Sequence, residues 1–155
     1  MATRSSVTSS ASPPSTPAST AGNGQVSVVA SLTGNPLVPP IVDLLDKYFT
    51  AINHHDYQGY IALLTPQEQQ GLTIGQFYRG YRSTRDSAEM LQSISTASGT
   101  VATVTFISHQ NPADSYNHQQ SCTSWQISLF LQQNGGTYLI GKSPPSYHAY
   151  YAACP

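Results

Sequence analysis

The sequence predicts an α+β domain in which N-terminal helices pack on a curved, mainly antiparallel sheet. Three observations predict it. Apolar residues recur at helical spacing in residues 38–64, and at a spacing of two from residue 87 to residue 141. A stretch rich in Ser, Thr and Pro precedes both segments and lacks the apolar residues of a packed core. Helices followed by a run of strands are typical of the α+β class.

The composition limits the partners that the chain attracts. The 155 residues include 6 Lys and Arg against 7 Asp and Glu, for a net charge of −1. A field this weak attracts neither nucleic acid nor an anionic membrane surface. No apolar run is long enough to span a bilayer, and the first residues lack the regions of an export signal. We therefore expect no nucleic-acid partner and no direct membrane contact.

Residues 1–35 are predicted to be a disordered linker, and residues 36–155 to be the folded domain. The linker is almost entirely Ser, Thr, Pro, Ala and Gly, which bury too little apolar surface to offset the entropy of ordering. Within it, residues 25–32 are apolar enough to form a short strand or to pack on the domain. A linker in this place suggests a fragment of a longer protein. The alternative is a natural disordered N-terminus.

The first helix is predicted to begin near Val38 and to end near Asn53. Pro39 and Pro40 stand in its first turn, where proline is tolerated. Six apolar residues then fall on one helix face: Ile41, Leu44, Leu45, Tyr48, Phe49 and Ile52. Asp56 offers an oxygen that can cap a second helix. The spacing repeats in that helix at Tyr57, Tyr60, Ile61 and Leu64.

Two further short helices are predicted from their first residues. Residues 65–68, Thr-Pro-Gln-Glu, have the form of a capping box and start a helix that ends near Gly71. Residues 73–76, Thr-Ile-Gly-Gln, repeat the form. The apolar residues of the second of these helices are Ile74, Phe77, Tyr78 and Tyr81. Arg79, Arg82 and Arg85 follow at a spacing of three and are expected to be a solvated basic face. The alternative is a site for an anionic ligand.

From residue 87 the apolar period changes to two, which predicts strands. Residues 88–96 and 101–108 flank a turn at Gly99 and form a hairpin. Residues 121–132 form the longest strand. One face of that strand carries Trp125, Ile127, Leu129 and Leu131, and the other carries Cys122 and Phe130. A turn at residues 134–136 leads back into a strand at residues 137–141. Residues 143–155 are expected to be coil or a short strand.

The two cysteines are predicted to form a disulfide bond. Cys122 lies in the longest strand, and Cys154 is next to the last residue, where a lone thiol has little to pack against. The bond would close a loop of about 33 residues, stabilise the domain by about 3.7 kcal/mol and hold the C-terminal tail. Disulfides belong to oxidising compartments, so the pair indicates an extracytoplasmic protein. The alternative is two reduced thiols in a cytosolic protein.

One segment has the residue pattern of a known family. A helix ending in Ala51-Ile52-Asn53, a turn residue Asp56 and the apolar pair Leu63-Leu64 resemble the opening of the NTF2-like (cystatin-like cone) superfamily. The later strands resemble the same fold, and the resemblance covers residues 38–142. The low charge, the linker and the cysteine pair are similar to NTF2-like domains that bacteria display outside the membrane. The resemblance implies an extracytoplasmic part of a longer bacterial membrane-bound or secreted protein.

The resemblance also implies a pocket, because members of the superfamily enclose one between the helices and the concave sheet. Ketosteroid isomerases, limonene epoxide hydrolases and scytalone dehydratases use it as an active site. Here no carboxylate stands between Glu89 and Asp114, which counts against acid–base chemistry on the sheet. Asp56 matches the turn aspartate of the family, whose commoner role is to cap a helix. The histidines show no regular metal-ligand spacing, and we expect no cofactor.

Tyrosine is unusually abundant, with ten residues against four Phe and one Trp. Because tyrosine offers apolar area together with a hydroxyl group, a set of tyrosines suits a partly wet pocket or an interface. The predicted ligand-binding residues are Tyr57, Tyr60, Tyr78, Tyr81 and Trp125. The alternative for each tyrosine is a ring buried at the edge of the core with its hydroxyl in water.

The leading hypothesis for function is a non-enzymatic module outside the cell. It would bind a small molecule, a peptide or a neighbouring protein domain through the cone. One alternative is a small isomerase, dehydratase or hydrolase with Asp56 or a pocket histidine as its base. Another is a structural domain that dimerises through its sheet. A pocket carboxylate of raised pKa would support the enzyme, and an exposed apolar sheet face would support the dimer.

Overall fold

A computed structural model describes residues 25–115 and 119–155 and has the predicted α+β architecture. Within these residues, the helices are α1 (Val38–Asn53), α2 (Tyr57–Ile61), α3 (Pro66–Gln70) and α4 (Ile74–Tyr81). The strands are β1 (Ser27–Val28), β2 (Arg85–Ser95), β3 (Thr100–His109), β4 (Cys122–Asn134), β5 (Thr137–Ile140) and β6 (Tyr150–Ala153). No helix in these two ranges is long and apolar enough to cross a membrane.

The strands form one six-stranded sheet in the order β1-β2-β3-β4-β5, with β6 also paired to β4. Among the strand pairs of the described residues, the pairing of β1 with β2 is parallel and the others are antiparallel. Because β3 occupies one edge of β4, strands β5 and β6 share the other edge. Between them, the N–H of Ser128 donates to the Tyr147 hydroxyl at 2.6 Å, and the N–H of Gly141 donates to the carbonyl of Phe130 at 2.7 Å. The outer edge of β4 is therefore covered along most of its length.

Helix α1 supplies the largest share of the core, as its spacing predicts. All six predicted core residues are buried. The helix packs against α2, β2 and β5. Phe49 is fully buried and meets Phe106 of β3, with ring centroids 5.0 Å apart. Removing a side chain of this size from water contributes about 1.5–3 kcal/mol.

The predicted helix caps are present. The Asp56 side chain accepts from the N–H of Gly59 at 3.0 Å and starts α2, and the Thr65 hydroxyl accepts from Glu68 at 3.4 Å and starts α3. At α4 the capping box is complete, because Thr73 and Gln76 each accept from the backbone of the other. The corner between α1 and α2 is made at His55, which has a φ of 54°. The chain therefore turns between Asn53 and Asp56, where the sequence predicts the first helix to end and the second to be capped.

The folded domain begins earlier than the predicted boundary near residue 35. Val26 and Val28 are buried in the core, and β1 pairs with β2. The N–H of Val26 donates to Asp46 of α1 at 2.9 Å. Residues 25–32 thus form a short strand and pack on the domain, as their apolar residues predict. The rest of the predicted linker, residues 1–24, lies outside the described residues.

The predicted disulfide joins Cys122 at the start of β4 to Cys154 after β6. The two Cα atoms lie 5.5 Å apart, at a sequence separation of 32. The N–H of Cys154 also donates to the carbonyl of Cys122 at 3.1 Å. The C-terminal tail, predicted as coil or a short strand, is thus fastened to the first half of β4 as strand β6.

Candidate functional site

A cavity of about 360 Å³ lies between the helices and the sheet. Its apolar and aromatic lining consists of Tyr48 and Ile52 of α1, Tyr81 of α4, Phe106 of β3, and Trp125 and Ile127 of β4. Its polar side chains are Thr84, Asp86, Ser108, Gln110, Asp114 and Ser115. Gly80 of α4 also lines the cavity and is exposed, so it lies at the mouth. The volume falls within the range of small-molecule sites.

Stacked aromatic rings form one wall of the cavity. Phe106 and Trp125 face each other across β3 and β4, with an interplanar angle of 13° and centroids 6.4 Å apart. On its other side Trp125 contacts Tyr151 of β6, with centroids 5.0 Å apart. Because the disulfide fastens β6 to β4, it also fixes the ring that supports Trp125.

Three tyrosines meet at the helical side of the cavity. Tyr60 contacts Tyr48 and Tyr81, with ring centroids 5.5 and 5.7 Å apart, but lies outside the cavity lining. Burial raises the pKa of Tyr48 and of Tyr81 well above the ordinary value of 10, and it also raises the pKa of Tyr60. The three phenols are therefore neutral at physiological pH and can donate hydrogen bonds.

Asp86 is a buried carboxyl group in the described lining of the cavity. It accepts a hydrogen bond from the Ser108 hydroxyl of the neighbouring strand. Its backbone is held by the side chain of Asn53, the last residue of α1: the N–H of Asp86 donates to Oδ1 at 2.6 Å, and its carbonyl accepts from Nδ2 at 3.0 Å. Burial raises the pKa of Asp86 to about 7, although the Ser108 bond opposes the rise. The charge of Glu89 raises it further.

A β-bulge puts Asp86 on the buried face of β2. Asp86 and Leu91 are an odd number of residues apart, so a regular strand would place them on opposite faces. Between Ser87 and Met90 the register with β3 shifts, and Ala88 has a φ of 53°. The extra residue changes the phase of the strand, and both Asp86 and Leu91 are buried. The alternation seen in the sequence therefore did not reveal this carboxyl group.

Asp114 lines the cavity from the loop after β3 but is already paired. Arg82 donates to Oδ1 through Nε at 2.7 Å, and the Ser83 hydroxyl donates to Oδ2 at 2.7 Å. The hydrogen bond and the charge of Asp114 raise the pKa of the Arg82 guanidinium. Arg82 is thus an ion-pair partner that ties the end of α4 to this loop. Arg79 and Arg85 are exposed, as expected for a solvated basic face.

The structure gathers the predicted ligand-binding tyrosines around a buried phenylalanine. The ring of Phe77 lies within 5.8 Å, centroid to centroid, of Tyr57, Tyr60, Tyr78 and Tyr81. Of the predicted set, Tyr81 and Trp125 line the cavity. The Tyr57 hydroxyl donates to the carbonyl of Leu72 at 3.0 Å, and Tyr78 is exposed. Tyr48, assigned from its spacing to the core, lines the cavity as well.

The residues named for the alternative enzyme lie elsewhere. Asp56 caps α2 and is absent from the cavity lining, and no histidine is among the described lining residues. The described part of the chain also holds no group of three His, Cys, Asp or Glu side chains that could bind a metal ion. A base in this cavity would instead be Asp86.

Comparison with known proteins adds no relative to this description of the site. No family model matches the sequence, and no curated protein or solved structure matches it significantly.

Proposed function

We propose that this chain is an extracytoplasmic NTF2-like module that binds a small molecule in the cavity. One observation carries the proposal: four aromatic rings and a buried carboxyl group, Asp86, line the same cavity. Ligand sites are typically concave and mostly apolar, with a few polar groups that orient the ligand. A volume of about 360 Å³ favours a compact ligand.

Binding in the cavity can be measured with a neutral fluorescent probe, N-phenyl-1-naphthylamine, whose emission rises in apolar sites. Gly80→Leu is the test variant, because Gly80 lies at the mouth and no atom lies within 4 Å of an added Cβ. We expect this side chain to weaken probe binding at least about tenfold, since it occupies ligand space. Gly75→Leu is the matched control, because Gly75 lies on the same helix outside the lining.

Two results would contradict the binding proposal. Folded wild-type protein that does not bind the probe would show that the cavity does not admit a small molecule. Equal affinity in the wild type and in both leucine variants would place the probe somewhere other than the cavity. Circular dichroism of each variant separates these results from a failure to fold.

The extracytoplasmic part of the proposal is supported by the disulfide bond, because such bonds persist in oxidising compartments. Intact mass and thiol titration of protein from its native cells, with and without reductant, test it directly. We expect both thiols to be blocked and the mass to be two hydrogens lower than that of the reduced chain. Free thiols at Cys122 and Cys154 in that material would remove the support.

A second candidate function is an acid–base enzyme with Asp86 as the base. The specific observation in its favour is that burial raises the pKa of Asp86 to about 7, which suits proton transfer near neutral pH. Tyr48 and Tyr81 could then donate hydrogen bonds to a developing negative charge. In this candidate function the base is Asp86 and not Asp56, and the ligand would bind in the same cavity as in the leading proposal.

Base catalysis can be tested without a known substrate by the elimination reaction of 5-nitrobenzisoxazole. A carboxylate removes the proton on C3, the N–O bond breaks, and a coloured cyanophenolate is released. An enzyme would show a rate that rises with pH around 7 and falls at least about tenfold in Asp86→Asn. A rate that Asp86→Asn leaves unchanged would exclude Asp86 as the base.

The dimer alternative rests on the sheet. Among the described residues, the exposed large apolar side chains are Ile74 and Tyr78 of α4 and Tyr150 of β6. None belongs to the long strands β2, β3 or β4. A homodimer through the sheet stays a prediction, and sedimentation equilibrium would decide it.

A further inference from the structure

The charged side chains that line the described part of the cavity are both acidic. They are Asp86 and Asp114, and no Lys, Arg or His is among the described lining residues. Asp114 has a counter-charge in Arg82, which reaches it from outside the lining. Asp86 receives the Ser108 hydroxyl, and in the described chain no ion pair includes it. Of the two carboxyl groups, Asp86 is therefore the one without a counter-charge in the described part of the chain.

The aromatic wall of the cavity also suits a positively charged ligand. Tyr48, Tyr81, Phe106 and Trp125 contribute aromatic rings, whose faces carry partial negative charge and attract cations. Tyr48 and Phe106 are almost fully buried, so part of this wall is shielded from water. A cation held near aromatic rings and a buried carboxylate gains from both, and each attraction strengthens as water is excluded.

We propose that the cavity binds a small organic cation, an amine or a quaternary ammonium compound, with its charge beside Asp86 and among the aromatic rings. The inference rests on the proposed function, since it names the class of molecule that the cavity takes. A neutral ligand would leave the buried Asp86 carboxyl group to avoid the cost of its charge by holding a proton, whereas a cation would stabilise the carboxylate form directly. An anionic ligand would meet like charge on Asp86.

The single tryptophan makes this inference measurable. Trp125 is the only Trp of the chain and lines the cavity, so its fluorescence responds to a bound ligand. Two matched pairs of probes separate charge from shape: choline with 3,3-dimethylbutan-1-ol, and benzylamine with benzyl alcohol. In at least one pair we expect the cation to bind about tenfold more tightly than its neutral counterpart.

Asp86→Asn is the variant that tests the carboxylate. Asparagine keeps the shape and an acceptor for Ser108 but removes the charge, so the preference for the cation should fall about tenfold. Asp43→Asn is the matched control. It removes one negative charge from α1 outside the cavity lining, where Asp43 pairs with Lys47, and should leave the preference unchanged.

Two results would overturn the inference. In the first, neither pair favours the cation in the wild type, and this comparison decides even if Asp86→Asn fails to fold. In the second, Asp43→Asn lowers the preference as much as Asp86→Asn, which would assign it to the net charge of the protein. Either result leaves the proposed function standing as long as N-phenyl-1-naphthylamine binds in the cavity. Loss of probe binding as well would remove both.

Discussion

The side chain of Asn53 makes the two hydrogen bonds to the backbone of Asp86 that a neighbouring strand would otherwise make. It accepts from the N–H of Asp86 and donates to its carbonyl, so one amide group satisfies both backbone groups. We expect Asn53→Ala to lower the free energy of unfolding by about 1–3 kcal/mol, because two partly buried backbone groups lose their partners. Urea unfolding measures the change. His54→Ala alters an exposed neighbour and is the control, and equal losses in the two variants would contradict this role of Asn53.

The carboxyl group of Asp86 makes stability depend on pH in a definite direction. Its pKa is raised from 3.8 to about 7 in the folded protein, so between these values the folded state holds a proton that the unfolded state releases. Stability therefore falls as the pH rises from about 4 to about 7, by an amount of the order of 4 kcal/mol at most.

Comparing two proteins isolates this effect of Asp86. The free energy of unfolding in urea is measured for the wild type and for Asp86→Asn between pH 4.5 and 8. The two proteins share every other titrating group, so the contributions of those groups cancel in the difference. We expect the difference in their free energies of unfolding to change steadily across this range, with the variant gaining on the wild type as the pH rises. A difference that does not change with pH would mean that Asp86 has an ordinary pKa.

Single residues differ in how far their roles could be predicted from sequence. Tyr81 and Trp125 were predicted as ligand-binding residues and line the cavity, whereas Tyr78, predicted on the same helix as Tyr81, is exposed. Asp86 was not, since its burial depends on the bulge at Ala88 and on the approach of Asn53 from α1. The bulge is defined by the pairing of β2 with β3, and Asn53 lies 33 residues before Asp86, so the residue pattern around Asp86 shows neither feature.

Helix α4 and the turn between β2 and β3 each contain a glycine, and the two glycines should respond to substitution in opposite ways. Gly80 has no atom within 4 Å of an added Cβ, whereas Gly99 has a φ of 83° that other residues rarely adopt. We expect Gly80→Ala to raise the free energy of unfolding by up to about 1 kcal/mol through helix propensity. Gly99→Ala should lower it by about 1–2 kcal/mol through strain. Thermal unfolding of both variants checks the opposite signs, and the same sign in both would contradict the argument.

Features of the helices and strands could be predicted from sequence where the interacting residues lie close together in the chain. The caps at Asp56, Thr65 and Thr73 lie within four residues of the groups they satisfy, and all three are present. The place of β6 could be predicted only through the cysteine pair, because its residues carry no strand pattern of their own. The early start of the domain at residue 25 depends on pairing with β2, far along the chain.

For the whole molecule, the disulfide links global stability to the shape of the cavity. Replacing both Cys122 and Cys154 by serine should lower the free energy of unfolding by about 3.7 kcal/mol, because the unfolded chain gains the entropy of an open loop. The emission of Trp125 should also shift to longer wavelength, since Tyr151 of the freed β6 no longer covers it. Unchanged emission in the folded variant would show that β6 stays in place without the bond.

The cavity itself belongs to the whole molecule, and this explains why its lining could be predicted only in part. It takes side chains from α1, α4, β2, β3, β4 and the loop after β3. Spacing in the sequence shows which face of each element points inward. It does not show which inward residues meet around an open space, because that follows from how the elements cross and from the phase change in β2.

The covered edge of β4 has a consequence for how these molecules behave at high concentration. A net charge of −1 gives little mutual repulsion, so charge alone does not keep neighbouring chains apart. Strands with free N–H and C=O groups are the usual templates for edge-to-edge aggregation. With Tyr147 filling the gap between two four-residue strands, the longest strand of this sheet gives an incoming chain little to pair with. The edge on this side of the sheet is thus carried by the short strands β5 and β6, and short edge strands limit pairing with another chain.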